Sequence, residues 1–169
     1  MQSADLLIDA FGRVREEVHA AVGSLSDEQL TERLDADANS IAWLCWHLER
    51  VQDDHVAAAF GTAQVWQQPQ WAQWADTFGL TARDIGYGHS PKQVGQVRAP
   101  RSMLTGYVDA VHAQTLKLIA DVTDADLDRV VDERWDPPVT LGVRLVSVIS
   151  DCLQHVGQAA FIRGVLLRR

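Results

Sequence analysis

The sequence predicts an all-α protein: a four-helix bundle with a long crossover between its second and third long helices. Four long segments repeat apolar residues at helical spacing, and capping residues, glycines and prolines separate them. No segment alternates apolar and polar residues as a half-buried strand would. At 169 residues, of which 47% are hydrophobic, the chain can bury one core, so we expect a single domain over residues 1–169.

The N-terminal half contains two of the long helices. Apolar spacing predicts the first over residues 3–23. A short helix is expected over residues 26–34, because its first residues have capping-box spacing. The second long helix is predicted between an N-terminal cap at Ser40 and a stop at Gly61.

Residues 61–99 form a connection without a persistent helical or strand period, rich in aromatic residues and glycine. We expect one short helical turn in it, near residues 69–78. Connections of this length are unusual in compact domains and often have a function, such as covering a site. The aromatic residues indicate that this excursion (residues 61–99) packs on the bundle.

The C-terminal half repeats the order of long helix, short turn and long helix. The third long helix is expected over residues 100–121, and Thr123 predicts a cap for a turn that ends near residue 131. A proline pair then interrupts the chain, and the fourth long helix is expected over residues 140–167. A long second connection is typical of bundles that do not run simply up-down-up-down.

Composition excludes several functional classes. The net charge of −8 disfavours nucleic-acid binding, which needs a basic surface. Cys45 and Cys152 both lie within apolar helical patterns and predict buried thiols rather than a disulfide framework. No signal peptide and no apolar run of membrane-spanning length are apparent, so we expect a cytoplasmic protein with no membrane partner.

The residues that carry chemistry are Asp151 and His155 on the last helix and His47 on the second. A carboxylate and an imidazole four residues apart lie on one helix face and can bind one metal ion. His47 falls within the apolar stripe of its own helix and should face the bundle interior. Three protein ligands with one open position are typical of a catalytic metal site, although no catalytic residue can be assigned.

Other interpretations remain open at this point. An interior histidine is more often a hydrogen-bonded core residue, and the Asp151 carboxylate could pair with an arginine instead of a metal; the candidates are Arg13, Arg50 and Arg144. Asp54 or His55 is an alternative metal ligand. The helical spacing also predicts that a polar set on the second helix points away from the interior, namely Glu49, Arg50 and Asp53.

Two segments resemble the DinB-like superfamily, also called the YfiT-like or DUF664 group. Residues 40–48, Ser-Ile-Ala-Trp-Leu-Cys-Trp-His-Leu, are similar to its second helix. Residues 154–164, Gln-His-Val-Gly-Gln-Ala-Ala-Phe-Ile-Arg-Gly, are similar to its last helix. With the helix order, the resemblance covers nearly the whole chain.

The resemblance implies a four-helix bundle that holds a divalent metal through three residues. The common pattern is one histidine on the second helix and His-x-x-x-His on the fourth, which matches His47, Asp151 and His155 here. Aspartate at the middle position departs from that pattern and is similar to mycothiol-dependent maleylpyruvate isomerases, which have glutamate there. Those enzymes carry a further C-terminal domain, so isomerase activity itself is not expected of this chain.

The resemblance also implies the function. Zinc is the expected metal, with nickel or manganese as alternatives, and the cosubstrate is a low-molecular-weight thiol such as glutathione, bacillithiol or mycothiol. The expected reaction is transfer of that thiol to an electrophilic small molecule, with Arg50, Arg144 and Arg163 as candidates to hold the thiol's carboxylate. A metal-dependent hydrolase and a non-enzymatic, stress-linked metal-binding bundle are the alternatives. Superfamily members often form homodimers, although the helix pattern does not demand one.

Overall fold

A computed structural model of the protein describes residues 2–169 and contains a bundle of four long helices. They are α1 (Ser3–Val22), α3 (Ile41–Phe60), α6 (Arg101–Ile119) and α7 (Leu141–Leu166). Shorter helices lie between them: α2 (Asp27–Thr31), α4 (Pro69–Phe78) and α5 (Pro91–Gln96), with 3-10 turns at Val65–Gln67 and Asp124–Asp128. The prediction of an all-α bundle is confirmed.

The caps explain where the long helices begin and end. The Ser40 hydroxyl accepts a hydrogen bond from the Trp43 N–H at 3.1 Å, and Gly61 ends α3 in the left-handed conformation with φ of 65°. The Thr140 side chain caps the start of α7 in the same way. These short-range signals are legible in sequence, which is why the boundaries of the long helices were predicted to within about two residues.

The four long helices pack as a square in which α3 contacts α6 and α7, and α1 contacts the same two helices. Arg163 near the end of α7 donates hydrogen bonds to the carbonyls of Ala20 and Gly23 at the end of α1, so these two helices run in the same direction. Gln114 of α6 reaches the Ala63 carbonyl just beyond α3. The bundle is therefore up-down-down-up, and the excursion forms the crossover between the parallel helices α3 and α6.

The excursion packs against the bundle with its aromatic residues. Its predicted helical turn is α4, whereas α5 was not predicted. Trp66 and Phe78 are buried, and the ring of each lies 6.3 Å from Trp46 of α3 in an edge-on arrangement. Tyr87 is an exception, because its side chain is 91% exposed.

The prediction that Glu49, Arg50 and Asp53 point away from the interior was wrong. Every residue of α3 from 41 to 53 is buried, and these three are at most 3% exposed. The prediction assumed that one face of α3 meets solvent. The excursion covers the face that carries Arg50 and Asp53, and both side chains bond to it. Glu49 instead lies in the bundle interior near Cys45 and Asp109 of α6, where its carboxylate oxygens have no hydrogen-bond partner among the described residues.

Arg50 and Asp53 form the centre of a buried polar network. The Asp53 carboxylate accepts hydrogen bonds from the backbone N–H groups of Val65 and Trp66, at 2.8 and 2.7 Å, and from the Tyr107 hydroxyl at 2.7 Å. The Arg50 guanidinium lies 3.5 Å from Asp53. The pair therefore fixes the start of the excursion to α3 and α6 at once.

A small antiparallel hairpin precedes α7, with strands β1 (Val130–Asp132) and β2 (Val139–Thr140). The sequence predicts no strand here, because strands of three and two residues are too short to show an alternating pattern. The hairpin brings Asp132 against α7, where its carboxylate pairs with Arg144 at 2.8 Å.

Helix α7 is long and apolar enough, by length and composition alone, to cross a membrane, which corrects the expectation that no segment is. It packs against α3 and α1 and carries Arg144, Asp151 and His155. Core helices of soluble proteins meet the same two criteria. The cytoplasmic location of the chain stays a prediction.

Breaking the buried ion pair is expected to destabilise the protein strongly. Asp53→Ala leaves the Arg50 charge uncompensated and two backbone N–H groups without acceptors, so we expect a loss of about 3–5 kcal/mol in the free energy of unfolding, measured by urea denaturation. The matched control is Asp9→Ala, which removes the exposed ion pair with Arg13 on α1 and should change stability little. Equal losses in the two variants would contradict the structural role of the network.

Candidate metal centre

His47 of α3 is held with one ring nitrogen free. Its Nδ1 lies in hydrogen-bond contact with the Ile85 carbonyl of the excursion. A carbonyl can only accept, so Nδ1 carries the proton and Nε2 keeps a lone pair. The residue is 6% exposed, and burial lowers the pKa of its imidazole. His47 therefore has Nε2 available as a ligand and is oriented as metal-binding histidines are.

Asp151 and His155 of α7 stand one turn apart beside it. His155 Nδ1 lies 3.3 Å from the amide oxygen of Gln158, which again leaves Nε2 as the free nitrogen. That Nε2 is 3.6 Å from one carboxylate oxygen of Asp151. The second oxygen, Oδ2, is buried and has no hydrogen-bond partner among the described residues. The Asp151 side chain as a whole is 40% exposed, so only this one oxygen is shielded from water, and a cation would give it a partner.

These three residues converge. One ligand atom from each of His47, Asp151 and His155 lies within 4.8 Å of the other two. Among residues 2–169, no other group of three or more histidine, cysteine or carboxylate side chains brings its ligand atoms this close together. Two neutral imidazoles and one carboxylate suit a divalent transition metal such as zinc, so the residues present fit the group that the sequence predicted. Occupancy by a metal stays a prediction.

Trp43 fixes the orientation of both imidazoles. Its ring stacks on His47 with centroids 4.7 Å apart and an interplanar angle of 17°, and it meets His155 edge-on at 6.3 Å. The indole N–H donates to His89 Nδ1 at 3.1 Å. Trp43 lies one helical turn before His47 and so shares its face, a spacing that is visible in the sequence but did not enter the prediction.

Three residues of α3 hold the excursion over the centre through hydrogen bonds. Besides the contacts of His47 and Trp43, the Arg50 Nε–H donates to the Asp84 carbonyl at 3.2 Å. The Asp84 carboxylate in turn accepts from His89 Nε2–H at 3.0 Å. Two of the groups that α3 holds are the backbone carbonyls of Asp84 and Ile85. Every residue has a backbone carbonyl, so the sequence does not show which of them make these contacts.

Gly86 is required where the excursion crosses His47. It has φ of +92°, and a Cβ atom there would lie 2.7 Å from His47 Nδ1 and 3.1 Å from the Trp46 ring. A side chain would thus displace the hydrogen bond between His47 and the excursion. Gly88 has a similar φ of +71°, but a Cβ atom there would meet nothing within 4 Å, so only its conformation favours glycine.

A cavity of about 250 Å³ opens beside the centre, between α3 and α7. Its lining includes two of the three candidate ligands together with residues of both helices and of the excursion: His47, Val51, His55, Ile85, Tyr87, Ser147, Val148 and Asp151. The cavity is large enough for a small molecule to reach a metal held by the three residues. We call it the cleft.

The competing interpretations of Asp151 find no support in the structure. Arg13 pairs with Asp9, Arg50 with Asp53, and Arg144 with Asp132, so none of the three arginines pairs with Asp151.

The two alternative ligands, Asp54 and His55, are occupied elsewhere. The Asp54 carboxylate accepts from Gln64 at 2.7 Å, and His55 Nδ1 lies 3.1 Å from the Arg144 guanidinium. Neither belongs to the converging group.

The two cysteines are not part of the centre. Cys45 and Cys152 are fully buried, as the sequence predicted, and burial raises the pKa of both thiols well above the usual value. A thiol in that environment remains protonated and unreactive. Any thiol chemistry at the centre therefore depends on a thiol from solution.

Comparison with known proteins agrees with the arrangement of helices. A family model described as the DinB superfamily matches residues 10–159. A conserved protein from Enterococcus faecalis, known from its crystal structure, is 27% identical to this chain, with a TM-score of 0.86 over 100% of this chain and 99% of that one. No curated protein matches the chain.

Loss of either histidine is expected to abolish stoichiometric zinc binding. Replacing a residue that merely orients a ligand costs about 10–100-fold in affinity, so His47→Ala and His155→Ala should each lose more than about 100-fold. Asp151→Asn should also weaken binding, because it removes the only anionic ligand. Isothermal titration calorimetry with zinc, on protein purified without a metal-binding tag, measures these affinities.

The matched control is His19→Ala, a histidine of α1 that pairs with Asp109 outside the centre and should keep one zinc per chain. Circular dichroism should show unchanged helical content in every variant. Normal zinc content in either histidine variant would remove that residue from the centre. Unchanged affinity in Asp151→Asn would point to Asp54 instead.

Gly86→Ala is expected to weaken zinc binding through the orientation of His47. Both Gly86→Ala and Gly88→Ala place alanine at positive φ and should lose about 1 kcal/mol or more of stability. Only Gly86→Ala displaces the His47 hydrogen bond, so only it should lose about 10–100-fold in zinc affinity. Equal zinc affinities in the two variants, by the same calorimetry, would show that the excursion does not orient His47.

Proposed function

The chain belongs to the DinB superfamily, and we propose that it is a divalent-metal-dependent enzyme that transfers a low-molecular-weight thiol to an electrophilic small molecule. One observation carries the proposal: His47 and His155 both keep Nε2 free beside a buried Asp151 oxygen that has no protein partner among the described residues. That set is open toward the cleft, so a small ligand can reach it. Zinc is the metal we propose and the cytoplasm the location.

The charge of the set favours an anionic ligand. His47, Asp151 and His155 would hold the ion and contribute a single negative charge, so a site with a divalent ion keeps a net charge of about +1. A divalent ion, when bound, supplies the positive charge that makes a nearby thiol lose its proton at neutral pH. The two imidazole ligands add no negative charge, and burial lowers the pKa of His47, which favours the form that can bind a metal.

The transfer balances without a further reactant. The thiol proton passes to water, and a sulfur–carbon bond forms at the electrophile. The bond that breaks releases a leaving group with its electron pair. Ile85 and Gly86 of the excursion cover one side of His47, which limits the access of water on that side.

The hydrolase alternative is less well supported, because the cleft lacks a suitable base. Hydroxide-dependent hydrolysis would need a general base within reach of the substrate. His55 lines the cleft, but its Nδ1 is occupied by Arg144, and Asp54 is bonded to Gln64 and does not line the cleft. The charge of the site suits hydroxide as well as thiolate, so the absence of a base in this lining is what favours thiol transfer.

Thiol binding at the metal is expected to be visible in the cobalt-substituted protein. Addition of glutathione or mycothiol should produce a new thiolate-to-cobalt absorption band and release about one proton per chain, because a coordinated thiol is deprotonated. The oxygen analogue of the thiol, with a hydroxyl in place of sulfur, is the matched control and should produce neither. Catalytic turnover of an activated ester without any thiol would instead identify a hydrolase.

A further inference from the structure

His55 lies at the opposite end of the cleft from the metal centre. It follows His47 by eight residues on α3, which is about 12 Å along the helix at 1.5 Å per residue. Val51 lies between them on the same face, and all three line the cleft. A molecule held by the centre and extending along the cleft therefore meets His55.

A relay of charged residues fixes the imidazole of His55. Arg144 of α7 donates to the Asp132 carboxylate at 2.8 Å and lies 3.1 Å from His55 Nδ1. A guanidinium has only donors, so Nδ1 of His55 is the acceptor and its proton is on Nε2. Asp132 is 6% exposed and Arg144 14% exposed in their side chains, which shields the relay from water.

Two charged groups face Nδ1 of His55. The Arg144 guanidinium lies 3.1 Å away and the Asp54 carboxylate 3.6 Å away. Burial and the Arg144 charge lower the pKa of the imidazole, whereas Asp54 opposes that shift. With Nδ1 accepting from Arg144, Nε2–H is the donor that the ring presents.

Apart from the candidate ligands, the other polar residues in the lining of the cleft are Ser147 and Tyr87. The Ser147 hydroxyl donates its proton to the Arg144 carbonyl at 2.8 Å. Tyr87 is almost fully exposed, so water competes for its hydroxyl. The His55 side chain is 32% exposed, so it is the less exposed donor that a ligand in the cleft would meet.

We infer that His55, oriented by Asp132 and Arg144, selects ligands that carry an acceptor oxygen about two helical turns from the atom held at the metal centre. The inference rests on the proposed function and specifies it: the thiol or electrophile bears a carboxylate or carbonyl group remote from its reacting atom. His55 contacts the ligand, whereas Arg144 is a positioning residue that acts through His55.

The tautomer of His55 can be tested on the metal-free protein. Nitrogen-15 NMR of the histidine rings should show an unprotonated Nδ1 and a protonated Nε2 for His55 at neutral pH. Arg144→Met should abolish that preference. Arg134→Met is the matched control, because it removes the other arginine bonded to Asp132 and leaves the contact between Arg144 and His55 in place. A protonated Nδ1 in the unaltered protein would overturn the inference.

A series of thiols of increasing length tests the selection itself. Mercaptocarboxylates from mercaptoacetate to 8-mercaptooctanoate are titrated into cobalt-loaded protein, each beside the alkanethiol of equal length, and the charge-transfer band reports binding. We expect the carboxylate to improve affinity by roughly tenfold or more at one chain length only, as a hydrogen bond to a charged group would. His55→Phe, which keeps a ring without a donor, should abolish that optimum, so that no carboxylate binds better than the alkanethiol of equal length at any chain length.

The outcomes separate the two proposals. Thiols that bind with no optimum length, or an optimum that persists in His55→Phe, would overturn the role of His55 and leave the proposed thiol chemistry intact. Failure of every thiol to bind cobalt-loaded protein would overturn both. Zinc calorimetry on His55→Phe should show unchanged metal affinity, which confirms that the variant is folded and that His55 is not a ligand.

Discussion

Helix α3 is buried on all of its faces from residue 41 to residue 53, and most other features of the molecule follow from that burial. A bundle helix normally leaves one face to solvent, but the excursion covers that face here, and Arg50 and Asp53 are enclosed with it. Enclosed charges are costly unless they are paired and hydrogen-bonded. Asp53 therefore binds the first backbone N–H groups of the excursion, and Arg50 binds the Asp84 carbonyl further along. These hydrogen bonds hold the long crossover against α3 at two places along its length.

The enclosure of α3 also orients the candidate metal centre. Trp43, His47 and Arg50 follow one another along α3, and each holds a group of the excursion between residues 84 and 89. The Ile85 carbonyl decides which nitrogen of His47 is free, and Gly86 makes the close approach possible. The outer layer of the centre is thus backbone from a loop, whereas the inner layer is side chains from two rigid helices. The excursion therefore contributes both to the stability of the protein and to the orientation of the candidate ligand His47.

The cleft joins two ends of different character. At one end, an open set of imidazoles and a carboxylate suits a metal that favours an anion. At the other, the small hairpin supplies Asp132, which holds Arg144 and through it His55. The hairpin is too short to add much to the core, and its contribution here is to position Asp132. A bifunctional ligand, with sulfur at one end and an acceptor oxygen at the other, matches both ends of the cleft.

Local signals in the sequence are sufficient to predict the helices and the candidate ligands. Caps at Ser40 and Thr140 and the stop at Gly61 act over a few residues, and the i, i+4 spacing of Asp151 and His155 follows from helix geometry alone. The partner that each polar group takes, by contrast, depends on long-range packing. The enclosure of Glu49, the contact of His47 with a backbone carbonyl and the relay from Asp132 to His55 all join segments far apart in the chain. Helical periodicity describes one helix against an assumed solvent face, so it cannot anticipate a loop that replaces solvent on that face.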